Sequence, residues 1–207
     1  MSMVSDNNKS QNIAIFIVIL LAITSGAVLI WQSFLSAKAL DFSYVLDSDS
    51  TNTQEYEKED LNIKFSYPDG YILKERETGN GERFRYSITL LEDTETVRAI
   101  LNGEMSGMEY PPTINVDIYQ NNLDKMTPEE WIRNTSESNY KLSTGKILKI
   151  NLQGEEGLVY KWSGLYEGVT TVFGDERYIY AFSVNFFERE DKIFSDYESV
   201  LSSLSFE

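Results

Sequence analysis

Apolar and polar residues alternate along most of the chain beyond residue 61. A period of two is typical of β-strands with one buried face, because successive side chains point to opposite sides of a strand. The alternating apolar positions are Ile63, Phe65, Tyr67; Phe84, Tyr86, Ile88, Leu90; Ile114, Val116, Ile118; Leu148, Ile150, Leu152; Leu158, Tyr160, Trp162; and Tyr178, Tyr180, Phe182, Val184, Phe186. A further apolar run covers residues 169–173. These patterns predict a domain built mainly of strands.

Turn sequences separate the predicted strands. Pro68-Asp69-Gly70 favours a turn, after which residues 71–73 begin a return strand. Connections at 154–157, 163–164 and 174–175 are short and rich in glycine, which favours hairpins. Since parallel strands need crossovers of a dozen or more residues, short connections predict antiparallel pairing.

Two segments have the features of helices. Thr127 suits an N-cap, and Pro128 with the acidic residues after it suits the first helical turn. Near the C-terminus, apolar residues recur at steps of three and four: Ile193, Phe194, Tyr197, Val200, Leu201 and Leu204. The sequence therefore predicts an α+β domain, with one antiparallel β-sheet of roughly six to eight strands packed with two helices. Residues 92–112 interrupt the strands as an insertion, which contains the pattern of a helical turn at 96–101.

Residues 13–31 form a run without a charged side chain. At about 1.5 Å per residue, a helix of this length spans the hydrocarbon core of a bilayer, which is about 30 Å thick. We therefore expect one N-terminal transmembrane helix that follows a short tail of residues 1–12, with Trp31 as an interfacial anchor. A cleaved signal peptide is the alternative, because Ala37-Lys38-Ala39 has the small-x-small form of a cleavage site.

The organisation beyond the helix follows from charge and composition. Lys9 and the free amine favour a cytoplasmic N-terminus, so we expect a single-pass protein of the cell membrane whose C-terminal domain lies outside the cytoplasm. Residues 32–60 are rich in Ser, Thr, Asn and acidic residues, which predicts a flexible, self-repelling linker. The α+β domain is then expected at 61–207.

Charge and residue types exclude several classes of function. Of the 207 residues, 33 are acidic and 18 basic, and an excess of acids repels phosphate backbones, so we expect no nucleic-acid partner. The sequence contains no Cys and no His. Disulfides, zinc sites of the usual kind and Ser-His-Asp or Cys-His nucleophiles are therefore excluded. We expect neither a metal nor a cofactor.

Two motifs resemble a known family. Phe65-Ser66-Tyr67-Pro68-Asp69-Gly70-Tyr71 resembles the F-x-Y-P-x-G-aromatic opening of PsbP-like domains, and Val200-Leu201-Ser202-Ser203-Leu204-Ser205-Phe206 resembles their closing helix. The resemblance implies a PsbP-like α/β/α sandwich for residues 61–207. Its photosynthetic members serve photosystem II, whereas many bacterial relatives are anchored proteins of unknown role. A histidine-based metal site cannot be carried over to this chain, and no functional residue of the family is transferred.

Two residue sets admit a functional and a structural interpretation. Acidic pairs occur at Glu129-Glu130, Glu155-Glu156 and Asp175-Glu176, and again at Glu188, Glu190 and Asp191. They would suit a carboxylate-dependent hydrolase if two faced each other across a cleft, but helix starts and turns also favour acids. Tyr160, Trp162, Tyr178 and Tyr180 would suit a platform for stacking sugars or peptides, although cross-strand core packing is the commoner role of such aromatics.

The insertion supplies the candidate site. Met105, Met108 and Tyr110 lie close together in sequence, near two glycines and before a Pro-Pro pair. Flexible Met and amphipathic Tyr suit an adaptable protein contact, and we expect these three residues to bind a partner. The alternative is that they fold back over a sheet edge. The function expected from the sequence is thus a non-catalytic binding or assembly module with an unknown protein partner; the alternative is an extracytoplasmic hydrolase.

Overall fold

The protein is described by a computed structural model, which covers residues 52–105, 107 and 109–206. The strands of this part are β1 Thr53–Lys58, β2 Ile63–Pro68, β3 Tyr71–Asn80, β4 Arg83–Glu92, β5 Thr113–Gln120, β6 Leu148–Leu152, β7 Glu155–Ser163, β8 Glu167–Gly174 and β9 Tyr178–Phe186. The helices are α1 Glu95–Leu101, α2 Pro128–Asn134 and α3 Lys192–Ser202. Single turns of 3₁₀ helix occur at Glu59–Leu61 and Asn139–Leu142.

The strands are divided between two antiparallel sheets. Seven of them form one sheet in the order β3-β4-β5-β9-β8-β7-β6, which makes β3 and β6 its edges. The other two, β1 and β2, pair with each other in a separate two-stranded sheet. The predicted antiparallel α+β fold is confirmed, whereas the prediction of a single sheet is wrong.

The turn after β2 leads from one sheet to the other. The prediction that residue 71 begins a return strand of β2 is wrong, because β3 pairs with β4 and β2 pairs with β1. The partner of β2 lies earlier in the chain, where Tyr56 stacks on Phe65 with ring centroids 5.1 Å apart. Gly70 at the turn has a φ of 89°, which favours glycine.

β1 lies in the segment for which the sequence predicts a flexible linker. For residues 53–60 that prediction is wrong, because they form β1 and most of the following 3₁₀ turn. Tyr56 is the one buried side chain of β1, so no alternating apolar pattern marks the strand in the sequence. Residues 32–51 and the predicted transmembrane helix at 13–31 lie outside the described residues. Within residues 52–105, 107 and 109–206, no helix is long and apolar enough to cross a membrane.

The predicted helices occur where the sequence places them. α2 begins at Pro128, where Thr127 accepts from the backbone N–H of Glu130 and the Glu130 carboxylate accepts in return from Thr127. This capping box satisfies donors that the first turn of a helix leaves unpaired. α1 confirms the helical turn in the insertion, which joins β4 to β5 as expected.

The large sheet has two different faces. On β9, Phe182 and Val184 point to one face, which we call the closed face, because α3 packs against it and the segment between β1 and β2 accepts a hydrogen bond there from the Tyr180 hydroxyl. The Tyr197 hydroxyl of α3 donates to the Phe182 carbonyl at 3.1 Å, and Ser203 after α3 accepts from the backbone N–H of Ser66 on β2 at 2.8 Å. The opposite face we call the groove face. α2 covers part of it, where Trp131 joins a buried cluster with Val172, Ile179 and Ala181.

Candidate binding site

A row of polar side chains crosses the groove face perpendicular to the strands. The register places Lys74, Thr89, Asn115, Ser183 and Thr170 opposite one another on β3, β4, β5, β9 and β8. Each of these strands sends its neighbouring apolar residues to the closed face, because side chains alternate. The row forms the floor of a groove with a volume of about 920 Å³. From β3 to β7 the floor crosses five strand spacings, about 24 Å.

The middle of the floor is a hydrogen-bonded network of four side chains. Asn185 Oδ1 accepts from both the backbone N–H of Thr113, at 2.8 Å, and the Thr113 hydroxyl, at 3.1 Å. Asn115 donates to the same hydroxyl through Nδ2 and accepts from Thr89 through Oδ1. Because a backbone N–H can only donate, these bonds fix which end of the Asn185 amide is the oxygen. Its Nδ2 group has no hydrogen-bond partner among the described residues.

Trp162 on β7 closes one end of the floor. Its indole Nε1 donates to Thr170 Oγ1 at 3.0 Å, and Thr170 bonds in turn to Ser183. The ring lies directly over Gly168, where an added Cβ would come within 2.2 Å of the ring carbons. Glycine at this position is therefore what lets the half-buried indole lie across the strand and line the groove.

An ion-paired arginine lies in the wall near α2. Arg85 donates through Nε and Nη2 to the two carboxylate oxygens of Asp117, at 3.0 and 2.9 Å, and through Nη1 to Glu137 at 3.3 Å. Partial burial opposes its charge, yet Asp117 raises the pKa of Arg85 above the usual value. The guanidinium also lies over the Tyr119 ring, 5.3 Å from its centroid. With one cation and two carboxylates, this side of the groove carries a net charge of −1.

The opposite end of the floor is the open edge strand β3. Lys74 and Arg76 are exposed and line the groove from this strand. Within the part of the chain that the structure describes, neither side chain has an ion pair within 4.0 Å. Their charges are therefore available to a ligand.

The residues predicted from the insertion are only partly brought to the groove. Tyr110 lines it and is 48% exposed. Met105 is exposed on the same connection, 38%, but does not line the groove. Met108 lies outside the described residues. The partner-binding role of the three residues stays a prediction.

Exposed apolar side chains gather beside Tyr110, at the end of the sheet where β9 ends. The Tyr166 hydroxyl donates to the Tyr110 carbonyl at 3.1 Å, and the Tyr166 ring lies 5.0 Å from that of Phe187. Phe187 is 64% exposed and Leu165, next to Tyr166, is 70% exposed. Tyr110, Leu165, Tyr166 and Phe187 form a surface that we call the apolar end. Such clusters are typical of protein contact sites.

The acidic pairs have structural roles where the structure describes their contacts. Glu130 belongs to the capping box of α2, and Glu129 pairs with Arg133 one turn later. Asp175 accepts from two backbone N–H groups in the turn between β8 and β9. Asp191 accepts from two more before α3. These contacts favour the structural interpretation of the pairs over the hydrolase interpretation.

The four aromatics considered as a platform lie on two sides of the sheet. The register places Tyr160 and Trp162 on the groove face, and Tyr178 and Tyr180 on the closed face. Tyr160 is buried and packs edge-on against Tyr140 at 5.4 Å. They cannot form one platform, and of the two on the groove face only Trp162 lines the groove. Within residues 52–105, 107 and 109–206, no three acidic side chains are arranged to hold a metal ion.

Sequence reasoning missed the groove floor. Its signal was present locally, as the polar positions between the apolar ones of β4, β5 and β9. What the sequence does not show is that β5 pairs with β9, which brings Asn115 beside Ser183. Polar residues at alternate positions of a strand are typical of any solvent-exposed sheet face, so they indicate a groove only once the strand order is known.

Comparison with solved structures finds chains of similar fold. No family model matches the chain, and no curated protein matches it. The chain is similar to cyanobacterial PsbP (CyanoP) from Synechocystis sp. PCC 6803, whose solution structure it matches with a TM-score of 0.49 at 15% sequence identity. The match covers 75% of this chain and 92% of that one.

Proposed function

We propose that this chain is a non-catalytic binding and assembly module, anchored in the cell membrane by residues 13–31, that holds a protein partner outside the cytoplasm. The domain is proposed to be PsbP-like, on the two motifs around Tyr67 and Leu204. The placement of α2 and α3 on opposite faces of the sheet agrees with the α/β/α sandwich that this resemblance implies.

The observation that carries the proposal is the apolar end. Phe187 and Leu165 expose more than half of their surface, beside Tyr110 from the insertion. Burying an exposed large apolar side chain against a partner gains roughly 1.5–3 kcal/mol, which explains why such groups are concentrated at interfaces. Since a surrounding acidic surface would repel another acidic surface, we expect a partner with an apolar patch and a neutral or basic rim.

Site-specific photo-crosslinking in native membranes tests the partner. A crosslinking side chain is placed at Leu165 or at Phe187, and adducts are identified by mass spectrometry. Leu123 is the matched control, because it is 56% exposed but follows β5 at the other end of the sheet. We expect one discrete heterologous adduct from the first two positions and none from Leu123.

Two further measurements separate the parts of the proposal. Replacing Met105, Met108 and Tyr110 by Ser should abolish the adduct while the melting temperature stays nearly unchanged; a large fall in melting temperature would mean that the insertion covers the core. Adducts that contain two copies of this chain would show self-association and contradict a heterologous partner.

Protease should digest the domain in intact spheroplasts, and full protection would contradict the proposed location.

A further inference from the structure

We propose that the groove binds an acidic oligosaccharide, a chain of sugar rings that bear carboxylate groups. This inference goes beyond the assembly function, because its ligand is a glycan and its site is the groove floor. Three features carry it: a floor with unused donors and acceptors, an indole face at one end, and two cations at the other.

The floor is suited to hydroxyl groups. The two hydrogens of Asn185 Nδ2 are unused by the described residues, because the Thr113 bonds hold the amide oxygen on the other side. Asn115 keeps one N–H and one lone pair after its bonds to Thr89 and Thr113. A sugar hydroxyl can donate and accept a hydrogen bond, and this floor offers it both free donors and free acceptors. The network also holds the amides in place before a ligand arrives.

Trp162 supplies the apolar contact that a sugar ring needs. The Nε1 bond to Thr170 and the close approach to Gly168 fix the plane of the indole. The apolar C–H face of a pyranose packs well on such a flat surface, while its hydroxyls remain free for the floor.

The cations on β3 select for negative charge. Lys74 and Arg76 are two positions apart on one strand and therefore point to the same face. The Arg76 guanidinium can bind a carboxylate through two parallel hydrogen bonds. An acidic protein would otherwise repel an anionic ligand, so unpaired cations at the mouth of the groove are what an acidic sugar requires.

An acidic peptide is the competing ligand. Extended peptides gain affinity by adding a strand to a sheet edge, through main-chain hydrogen bonds. The unused groups of this groove are instead side-chain amides of the interior strands β5 and β9. An indole in the plane of the floor also favours a ring over a peptide strand.

Isothermal titration calorimetry of the full chain, in a detergent without a sugar headgroup, tests the proposal. The probes are oligomers of galacturonate, of mannuronate and of hyaluronan, each beside its carboxyl-reduced counterpart, together with oligoglutamate. We expect at least one acidic oligomer to bind at one site per chain, about tenfold or more tighter than its reduced counterpart.

Two variants and one control locate the binding. Lys74→Gln with Arg76→Gln should remove the preference for the acidic form and leave the affinity for the reduced form unchanged. Trp162→Ala should weaken both forms, and its circular dichroism shows whether it folds. Lys146→Gln with Lys149→Gln is the matched control, because these exposed lysines do not line the groove.

The outcomes are decisive in each direction. Loss of acid preference in the first variant, with an unchanged control, supports the assignment. Failure of all three acidic oligomers to bind overturns it. Oligoglutamate binding as tightly as the sugars would show that the cations attract acidic peptides, and equal losses in the two charge variants would show non-specific attraction.

Discussion

The two faces of the seven-stranded sheet are built by the same strands yet differ in what they hold. On β9, Phe182 and Val184 are completely buried on the closed face, whereas the alternate residues Ser183 and Asn185 are partly exposed in the groove. The closed face excludes water and packs apolar side chains. The groove face keeps its polar side chains ordered through hydrogen bonds to each other.

The difference shows how one alternating sequence can separate stability from binding. Packed apolar side chains supply most of the free energy of folding, and they tolerate loss of volume poorly. Hydrogen bonds between partly exposed groups contribute about 1 kcal/mol or less each, because water can replace them. The groove residues can therefore be specialised for a ligand with little effect on the fold.

The largest expected effect comes from breaking the closed face. Leu201 on α3 is 1% exposed, and Leu201→Ala should lower the free energy of unfolding by about 2–5 kcal/mol through lost burial and a cavity. Urea denaturation measures the change. Ser183→Ala in the groove is the control and should cost no more than about 1 kcal/mol. If both variants lost equal stability, the two faces would not differ as described.

An intermediate effect is expected where the groove face is tightly packed. Gly168→Ala would force the Trp162 indole away from β8, at a cost of about 1–3 kcal/mol, because its Cβ would overlap the ring. In a Trp162→Ala background the same substitution should cost almost nothing. A double-mutant cycle measures this coupling, and additive losses would show that the two positions act independently.

The smallest effect concerns pH and a carboxylate between the large sheet and the β1–β2 sheet. Hydrogen bonds from Tyr56 and then Tyr86 lower the pKa of Glu75 below its usual range. A carboxyl with a lowered folded pKa adds stability above its unfolded pKa of about 4.3, and this stability is lost as pH falls through the folded value. Since Glu75 is exposed, the effect should stay below about 1 kcal/mol.

Glu75→Gln isolates this contribution. The amide oxygen can still accept from both tyrosines, so stability at neutral pH should change little, while the loss of stability below about pH 4.3 becomes smaller. Urea denaturation at a series of pH values compares the two proteins. An unchanged acid profile would assign the loss to other carboxylates.

Local signals predicted much of the fold. Thr127 and Pro128 mark the start of α2, and the insertion lies between β4 and β5 where the alternation stops. The turn at Gln153 and Gly154, both with positive φ, has the backbone of a two-residue hairpin and was recognisable from its glycine. Each of these features is decided by residues that are close in sequence.

Features that depend on contacts between strands were not predicted from the sequence. Tyr56 is the one buried side chain of β1, so no apolar alternation in the sequence reveals that β1 pairs with β2 along its length. The groove requires β5 to lie beside β9, although three strands separate them along the chain. Of the three residues predicted for the site, Tyr110 reaches the groove because the insertion ends beside β5.

The charge alternation of edge strand β3 also governs how copies of this chain meet. A second copy that extended the sheet antiparallel at this edge would place groove-face residues opposite groove-face residues. In registers that bring these residues together, Lys74 and Arg76 would lie opposite cations of the second copy. Glu75 and Glu77, on the other face, would lie opposite carboxylates. Like charges directly opposite each other destabilise strand pairing. The ten-residue edge is thereby protected from propagating into aggregates, while it stays open to a ligand of opposite charge.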